Sequence, residues 1–189
     1  NEVITLNLIP EIVAEVEVLK RWRQHLHAHP EMAFKEYDTA AFVAERLREF
    51  GLTVHEGIAG TGVVGTLTNG CGNRAIGLRA DLDALPSVEA NTFEHVSKTP
   101  GVMHACGHDM HMTSLVGTAK MLLENTDKWS GTVMLVGQPA EEIISVAKAM
   151  LEDGLYQRFG VPDYAIGLHV SSGAPSGLVT VREGIIQSS

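Results

Sequence analysis

From Ile12 the apolar residues Val13, Val16, Leu19, Trp22 and Leu26 recur at intervals of three and four, the spacing of a helix that buries one stripe. Pro10 precedes them where a first helical turn has no hydrogen bond to lose, and His29-Pro30 predicts the end, because the residue before a proline is pushed out of the helical region. A second helix is predicted from Thr39 to Phe50, with Phe42, Val43, Leu47 and Phe50 on one face and Gly51 as its stop. GVVGTL (62–67) and AIGLRA (75–80) are short and rich in branched residues, with the turn-like NGCGN between them. They read as a pair of adjacent strands.

Beyond Pro86 the periodicity stops. Residues 87–109, SVEANTFEHVSKTPGVMHACGHD, carry no sustained pattern, and an irregular stretch of that length inside a domain is usually a functional loop. Helical spacing returns at Met112, Leu115, Val116, Ala119 and Leu122, and TVMLV (132–136) is the continuous apolar run of a buried strand. A further helix is predicted from Val146 to Leu155, broken by Gly154, with strands at YAIGLHV (164–170) and LVTV (178–181). Alternating strands and helices imply a layered α/β domain with a central mixed, largely parallel sheet flanked by helices.

Composition narrows the function classes. With 189 residues, 44% of them hydrophobic, the chain can fill one sizeable core. A net charge of −9 and a pI near 5.4 leave no basic stripe for a phosphate backbone, so nucleic acid is not an expected partner. No apolar run approaches the roughly 18 residues of a membrane span, so no membrane partner is expected either. Two cysteines, Cys71 and Cys106, are too few for a disulfide framework, and a reducing, cytoplasmic compartment is the expectation.

The chemistry concentrates in three places: Cys106-Gly107-His108-Asp109, Glu141-Glu142 after QPA, and His169 in YAIGLHV. Each follows a predicted strand or opens a helix, and α/β sheets gather their sites at the carboxyl ends of strands. A thiol, imidazoles and a carboxylate are a ligand set for zinc and similar divalent ions. Cys106, His108, Glu142 and His169 supply that set, and Glu141 is then free to act as a general base toward water. Each residue taken alone has a plainer reading. Two glutamates suit any helix N-terminus, and a single histidine in an apolar strand is more often hydrogen-bonded to backbone than bound to metal.

Other patterns are weaker. His25, His27 and His29 alternate as in a metal tract, but histidines also suit the last turn of a helix. We read His25 that way and keep His27 and His29 as candidates for orienting ligands. Asp81 and Asp83 stand at i and i+2 and share a face where the chain is extended. Asp83 can then orient a ligating imidazole or simply shape the turn before Pro86. Gly60, Gly62 and Gly65 resemble a phosphate-binding pattern without the strand-loop-helix context such a site needs.

Taken in order, HLHAHPEMAFKEYDTA, RADLDALP, MHACGHDMH, GQPAEE and GLHV resemble the catalytic domain of the binuclear metal amidohydrolases related to aminoacylases and zinc carboxypeptidases. The branch includes hippurate hydrolase, N-acyl-diaminopimelate deacetylase and the auxin-conjugate hydrolases. The resemblance runs from about Arg21 to the end of the chain. It implies that Cys106, His108, Glu142 and His169 bind two divalent ions of the zinc, manganese or nickel type, that Glu141 shuttles the proton, and that Asp83 is the orienting aspartate. It further implies hydrolysis of an amide bond in a small N-acyl amino acid or peptide-like substrate, with the full-length protein a homodimer. This chain would be the N-terminal portion of the catalytic domain, the lid or dimerisation domain and a later histidine ligand lying beyond it. Ile143-Ile144-Ser145-Val146 stands where such proteins often carry a glycine-rich helix entry. Two other readings are carried alongside: a thiol hydrolase with Cys106 as nucleophile and His104 or His108 as base, and a metal-binding fragment without catalysis.

Overall fold

The computed structural model describes residues 9–144, 146–173 and 175–181. The opening NEVITLNL and the tail with Ile185-Ile186 lie outside the described residues, as does Ser145. In chain order the elements are α1 (Pro10–Ala28), α2 (Tyr37–Glu49), β1 (Thr53–Ile58), β2 (Gly62–Asn69), β3 (Ala75–Asp81), α3 (His108–Glu124), β4 (Gly131–Gln138), α4 (Val146–Glu152), α5 (Leu155–Phe159) and β5 (Tyr164–Gly167). Both N-terminal helices fall where the spacing predicts them. The start of α2 is capped from a distance. Glu31 Oε2 accepts the Thr39 N–H at 2.7 Å and Oε1 that of Asp38 at 3.2 Å, satisfying donors that a helix N-terminus leaves open.

The five strands form one mixed sheet in the order β1-β2-β4-β3-β5. The β1–β2 and β2–β4 pairs are antiparallel, and β4–β3 and β3–β5 are parallel, so the sheet is mixed as expected but evenly divided. The expectation that GVVGTL and AIGLRA pair with each other is wrong. β4 lies between them, because the β3-α3-β4 crossover returns β4 beside β3, on the side that β2 then covers. NGCGN therefore steps over the start of β4 instead of closing a hairpin. Its glycine follows from that crossing: a Cβ on Gly72 would stand 2.7 Å from Gly131 N and from Ser130 C.

The alternation along β4 divides the interior into two layers. Val133 and Leu135 face a core shared with Val43, Leu47, Met112 and Val116 of α2 and α3, and Met134 and Val136 face a smaller one with Val146, Met150 and Leu155 of α4 and α5. Leu47 is fully buried, and burial of a leucine contributes about 1.5–3 kcal/mol. β1 carried no clear signal in the sequence, because it is an edge strand that buries only Ile58. LVTV forms no strand, and β5 ends at Gly167 before His169. The predicted break at Gly154 is present, where φ is 86° between α4 and α5.

Candidate metal centre

The parallel strands β3, β4 and β5 end at Asp81, Gln138 and Gly167, so their carboxyl ends open on the same rim of the sheet. Asp83, Glu141-Glu142 and His169 follow those ends directly, and His108 opens α3 above them. The helix begins at His108, four residues before Met112, the first apolar position that marks it in sequence, with Gly107 as its N-cap. This N-cap residue adopts φ 86°, a conformation that a side chain disfavours. A Cβ there would also run into Val170. The glycine thus lets the chain carrying Cys106 and His108 pass close beneath the one carrying His169.

Within this rim three groups bring metal-ligating atoms within 4.8 Å of one another: Cys106, His108 and His169; His108, Glu141 and Glu142; and Asp81, His108 and His111. His108 belongs to all three and is fully buried. Its Nδ1 lies 2.8 Å from the Asp83 carbonyl oxygen, an acceptor only, so Nδ1 carries the proton and Nε2 presents a lone pair. That Nε2 and Glu142 Oε1 are 3.8 Å apart. Both are buried and without a hydrogen-bond partner among the described residues. Two buried electron-pair donors facing each other, each unsatisfied, fit a divalent cation and are costly otherwise. Burial pushes His108 down, but the Asp83 and Asp81 carboxylates outweigh it and hold its pKa above the ordinary value.

Asp83 reaches the imidazole first through its backbone carbonyl, with its Oδ1 at 3.4 Å from Nδ1. Its Oδ2 instead accepts the Glu142 N–H at 3.0 Å. One residue thereby ties the histidine and the glutamate turn together. Burial raises the pKa of its carboxyl, but these hydrogen bonds more than reverse that and leave it below the usual range.

Cys106 Sγ lies 3.3 Å from His169 Nε2, and His169 Nδ1 donates to the Val170 carbonyl at 2.6 Å. Such a contact suits a pair of metal ligands as well as a thiol nucleophile with its base. Electrostatics separate the two. Burial pushes the Cys106 thiol up, and the carboxylates of Glu142, Glu141 and Asp81 add to this, to about 12. A nucleophilic cysteine needs the opposite environment, whereas a divalent cation would offset those same charges. The bases considered for a thiol reaction do not serve either. His104 is buried, held down to about 4 by that burial and without a hydrogen-bond partner among the described residues, and His108 Nε2 faces carboxylates.

Asp81 and His111 were not singled out as site residues in the sequence. His111 has no free lone pair for a metal, since Nδ1 meets Asp81 Oδ1 at 2.9 Å and Nε2 accepts the Val170 N–H at 3.0 Å. It secures the segment that follows β5, next to His169. Asp81 is spent on His111 and on Arg79 at 2.8 Å. Burial raises its pKa, but the His111 hydrogen bond and the nearby positive charges bring it down to about 2.

The alternating histidines divide as their surroundings dictate. His25 stacks on Phe42, and His29 Nδ1 donates to the His25 carbonyl, both local helix-end roles. His27 is buried between two carboxylates, with Nδ1 2.7 Å from Asp109 Oδ2 and Nε2 2.9 Å from Glu89 Oε1. Arg23 Nε also reaches Asp109 Oδ2 at 2.8 Å. The network fastens the irregular 86–107 loop and the first turn of α3 to α1. The Asp109 hydrogen bond raises His27, against burial, and Glu89 also contributes. Burial works against the Glu89 carboxylate, yet the His27 hydrogen bond helps bring it down to about 2. The pattern in HLHAH could suggest His27, but nothing local indicates its two distant partners.

A mixed α/β sheet with thiol, imidazole and carboxylate donors gathered at its parallel strand ends is a layered, exopeptidase-like architecture with a candidate metal centre. The chain belongs to peptidase family M20/M25/M40, whose signature matches residues 77–184. It is 42% identical to thermostable carboxypeptidase 2 of Saccharolobus solfataricus over 97% of this chain and 48% of that protein. It is 48% identical to hippurate hydrolase of Campylobacter jejuni over 87% of this chain and 42% of that protein. A Bacillus subtilis structure described as a dinuclear metal-binding peptidase of the M20 family superposes with a TM-score of 0.80 at 36% identity, over 86% of this chain and 45% of that one. The chain spans about half the length of the curated relatives it matches. No helix among the described residues is long and apolar enough to cross a membrane.

Proposed function

We propose that the chain is the N-terminal part of the catalytic domain of a metal-dependent amidohydrolase, acting on N-acyl amino acids or small peptide-like substrates. Cys106, His108, Glu142 and His169 hold two divalent ions of the zinc, manganese or nickel type, with the remaining ligand supplied by the longer protein. The observation that carries this reading is the pair of buried, unpartnered donors His108 Nε2 and Glu142 Oε1, 3.8 Å apart, beside a half-buried thiol. Bound there, the ions supply Lewis acidity that lowers the pKa of water and polarises the scissile carbonyl.

The two glutamates divide their work by exposure. Glu142 is the inner one, with its side chain 23% exposed and its N–H fixed on Asp83, and Glu141 is the outer one at 36%. Glu141 is therefore the general base, able to take a proton from water and pass it to the departing nitrogen. Asp83 keeps the His108 tautomer through its carbonyl. The relatives named for carboxypeptidase and hippurate hydrolase activity support the substrate class.

The test is a comparison of Glu141→Gln and Glu142→Gln in the full-length protein. Glu141→Gln is expected to keep its metal and lose turnover of N-acyl amino acids by about 100-fold or more, the scale of general-base assistance. Glu142→Gln is expected to lose metal as well. Equal metal loss in both, or turnover that survives a chelator, would overturn the assignment.

A further inference from the structure

The Glu142 turn is gripped from two sides, and only one grip belongs to the site just described. On the far side stands Glu36, which the metal-site reading does not use. Its side chain is completely buried, and no ion pair involves it among the described residues. Its Oε1 accepts the Ala140 N–H at 2.8 Å, and its Oε2 accepts the Thr61 hydroxyl at 2.6 Å. Glu36 is the residue before α2, where a side chain could cap the helix, yet it makes no cap hydrogen bond. Glu31 caps that helix instead. A buried carboxyl without a cation is costly unless its hydrogen bonds are made, and here they reach two loops distant in sequence.

What Glu36 holds is unusual. Ala140 is fully buried with φ 48° and ψ 44°, a left-handed conformation that costs an L-residue on the order of 1–2 kcal/mol. This reversal turns the chain out of β4 so that the next two residues, Glu141 and Glu142, face His108. Two residues later the Asp83 carboxylate takes the Glu142 N–H. The turn is thus suspended between two buried carboxyls, from the β3 exit and from the α2 entrance. Thr61, in the β1–β2 turn, completes the anchorage: the adjoining Gly62 packs against Pro139, where an added Cβ would stand 3.1 Å from Cδ.

We infer that Glu36 is a positioning residue for the Glu141-Glu142 pair, holding Ala140 left-handed through its N–H so that both carboxylates are set before any ligand arrives. The inference rests on the proposed metal reading only for its consequence in binding; the positioning itself is a property of the metal-free chain. Glutamine keeps the geometry. Its carbonyl oxygen accepts from Ala140, and its amide donates to the Thr61 oxygen, which can accept as well as donate. Leucine keeps the volume and loses both bonds.

The experiment measures amide hydrogen exchange by NMR in the metal-free chain, with zinc affinity by calorimetry alongside. Glu36→Leu is expected to speed exchange at Ala140 and Glu142 by at least about tenfold, the scale of one lost hydrogen bond of about 1.4 kcal/mol, while the centre of β4 keeps its protection. Zinc affinity is expected to fall by a similar factor. Glu36→Gln should restore most of both, and Ala140→Gly placed in the Glu36→Leu chain should recover part of the affinity, since glycine adopts the turn without strain. Unchanged exchange at Glu142 in Glu36→Leu would overturn the inference, as would Glu36→Gln behaving like Glu36→Leu. Should Glu142→Gln leave zinc affinity untouched while the exchange effect appears, the ligand assignment fails and the positioning role stands. If Glu36→Leu does not fold, Thr61→Val takes its place, since it removes one of the two hydrogen bonds that hold Glu36: faster exchange at Ala140 and Glu142 supports the inference, and unchanged exchange there overturns it.

Discussion

The two arms that bring donors to the rim are built differently. The arm carrying Cys106 and His108 is braced at every turn: Gly107 caps α3, the Asp83 carbonyl accepts the His108 Nδ1–H, and the next residue, Asp109, is buried against His27 and Arg23. The arm carrying His169 follows a strand that, among the described residues, pairs with β3 alone, and it lies exposed there, with Tyr164 at 62% and Leu168 at 63%. Its ties to the rim are Val170 N–H on His111 and the contact between His169 and Cys106. Grooves of about 350 and 270 Å³ run along β3 and β4 and reach β5 at Tyr164 and at Ala165, one beside α3 and the other beside α4 and α5. One half of the site is rigid by the chain's own bonding, and the other is placed by few contacts.

The largest effect that would break this contrast is on the braced arm. Asp109→Ala removes the carboxylate that accepts from His27 and pairs with the charge of Arg23, and leaves both facing a void. Losing one partner of a buried network costs roughly 3–5 kcal/mol, and the low end, about 3, is expected because the Arg23 side chain is 31% exposed. Urea unfolding measures it, and a loss below about 1 kcal/mol would mean that the arm is not braced here. His169→Ala sharpens the contrast from the other side. Unfolding free energy should change by less than about 0.5 kcal/mol, as at an exposed position, while zinc affinity of the chain falls. A large stability loss without an affinity change would reverse the roles of the arms.

The brace also sets a pH signature. His27 is raised above its ordinary 6.5, so its contribution is complete below 6.5 and is lost as pH rises through the higher folded value. Glu89 is lowered from 4.5 to about 2, so its contribution is complete above 4.5 and is lost as pH falls toward 2. Stability from this contact is therefore greatest between about 4.5 and 6.5, with Arg23, His95 and Asp109 also facing the ring. His27→Gln should flatten the decline on the alkaline side in urea midpoints taken from pH 4 to 9, and an unaltered slope would show that the decline arises elsewhere. The smallest effect falls between the arms. Ile144 is 73% exposed at φ 63°, a poor conformation for a β-branched residue. Ile144→Gly should raise stability by about 0.5 kcal/mol, the left-handed cost offset by the greater freedom of unfolded glycine. A fall in thermal midpoint would show that the isoleucine makes contacts that outweigh its strain.

Legibility followed the range of the interactions. The spacing of Val13 to Leu26 and of Met112 to Leu122 marked α1 and α3 by its three- and four-residue steps; in α3 those steps are burial, at Met112, Leu115, Val116 and Ala119, whereas in α1 Val13 and Val16 stay about half exposed and burial is confined to the end from Leu26 to Ala28. TVMLV was equally clear as a strand between two covering layers. β1 left little trace because an edge strand has few buried positions, and the insertion of β4 between β2 and β3 is a choice of neighbours that neither segment records. At the site, Cys106, His108, Glu142 and His169 stood out by residue type and by the resemblance their motifs carry. Glu36, His27, Asp81 and His111 act through partners 25 to 104 positions away, a distance at which a residue's type says little about what it touches.

The crossing at Gly72 bears on how the sheet comes into being. β2 and β3 are joined by five residues, yet they cannot settle as a hairpin, since the native place between them belongs to a strand that begins some fifty positions later. Until Gly131–Gln138 arrives, both strands present open hydrogen-bonding edges to each other, and their premature pairing is the obvious wrong turn. The glycines of the link discourage nothing by themselves, but they let it yield without rupture when the late strand enters. Such non-local closure is slow compared with helix formation, so the chain is expected to spend its early life as helices searching around an incomplete sheet. On a ribosome that interval lasts at least until Gln138 has emerged, because β4 is complete only there.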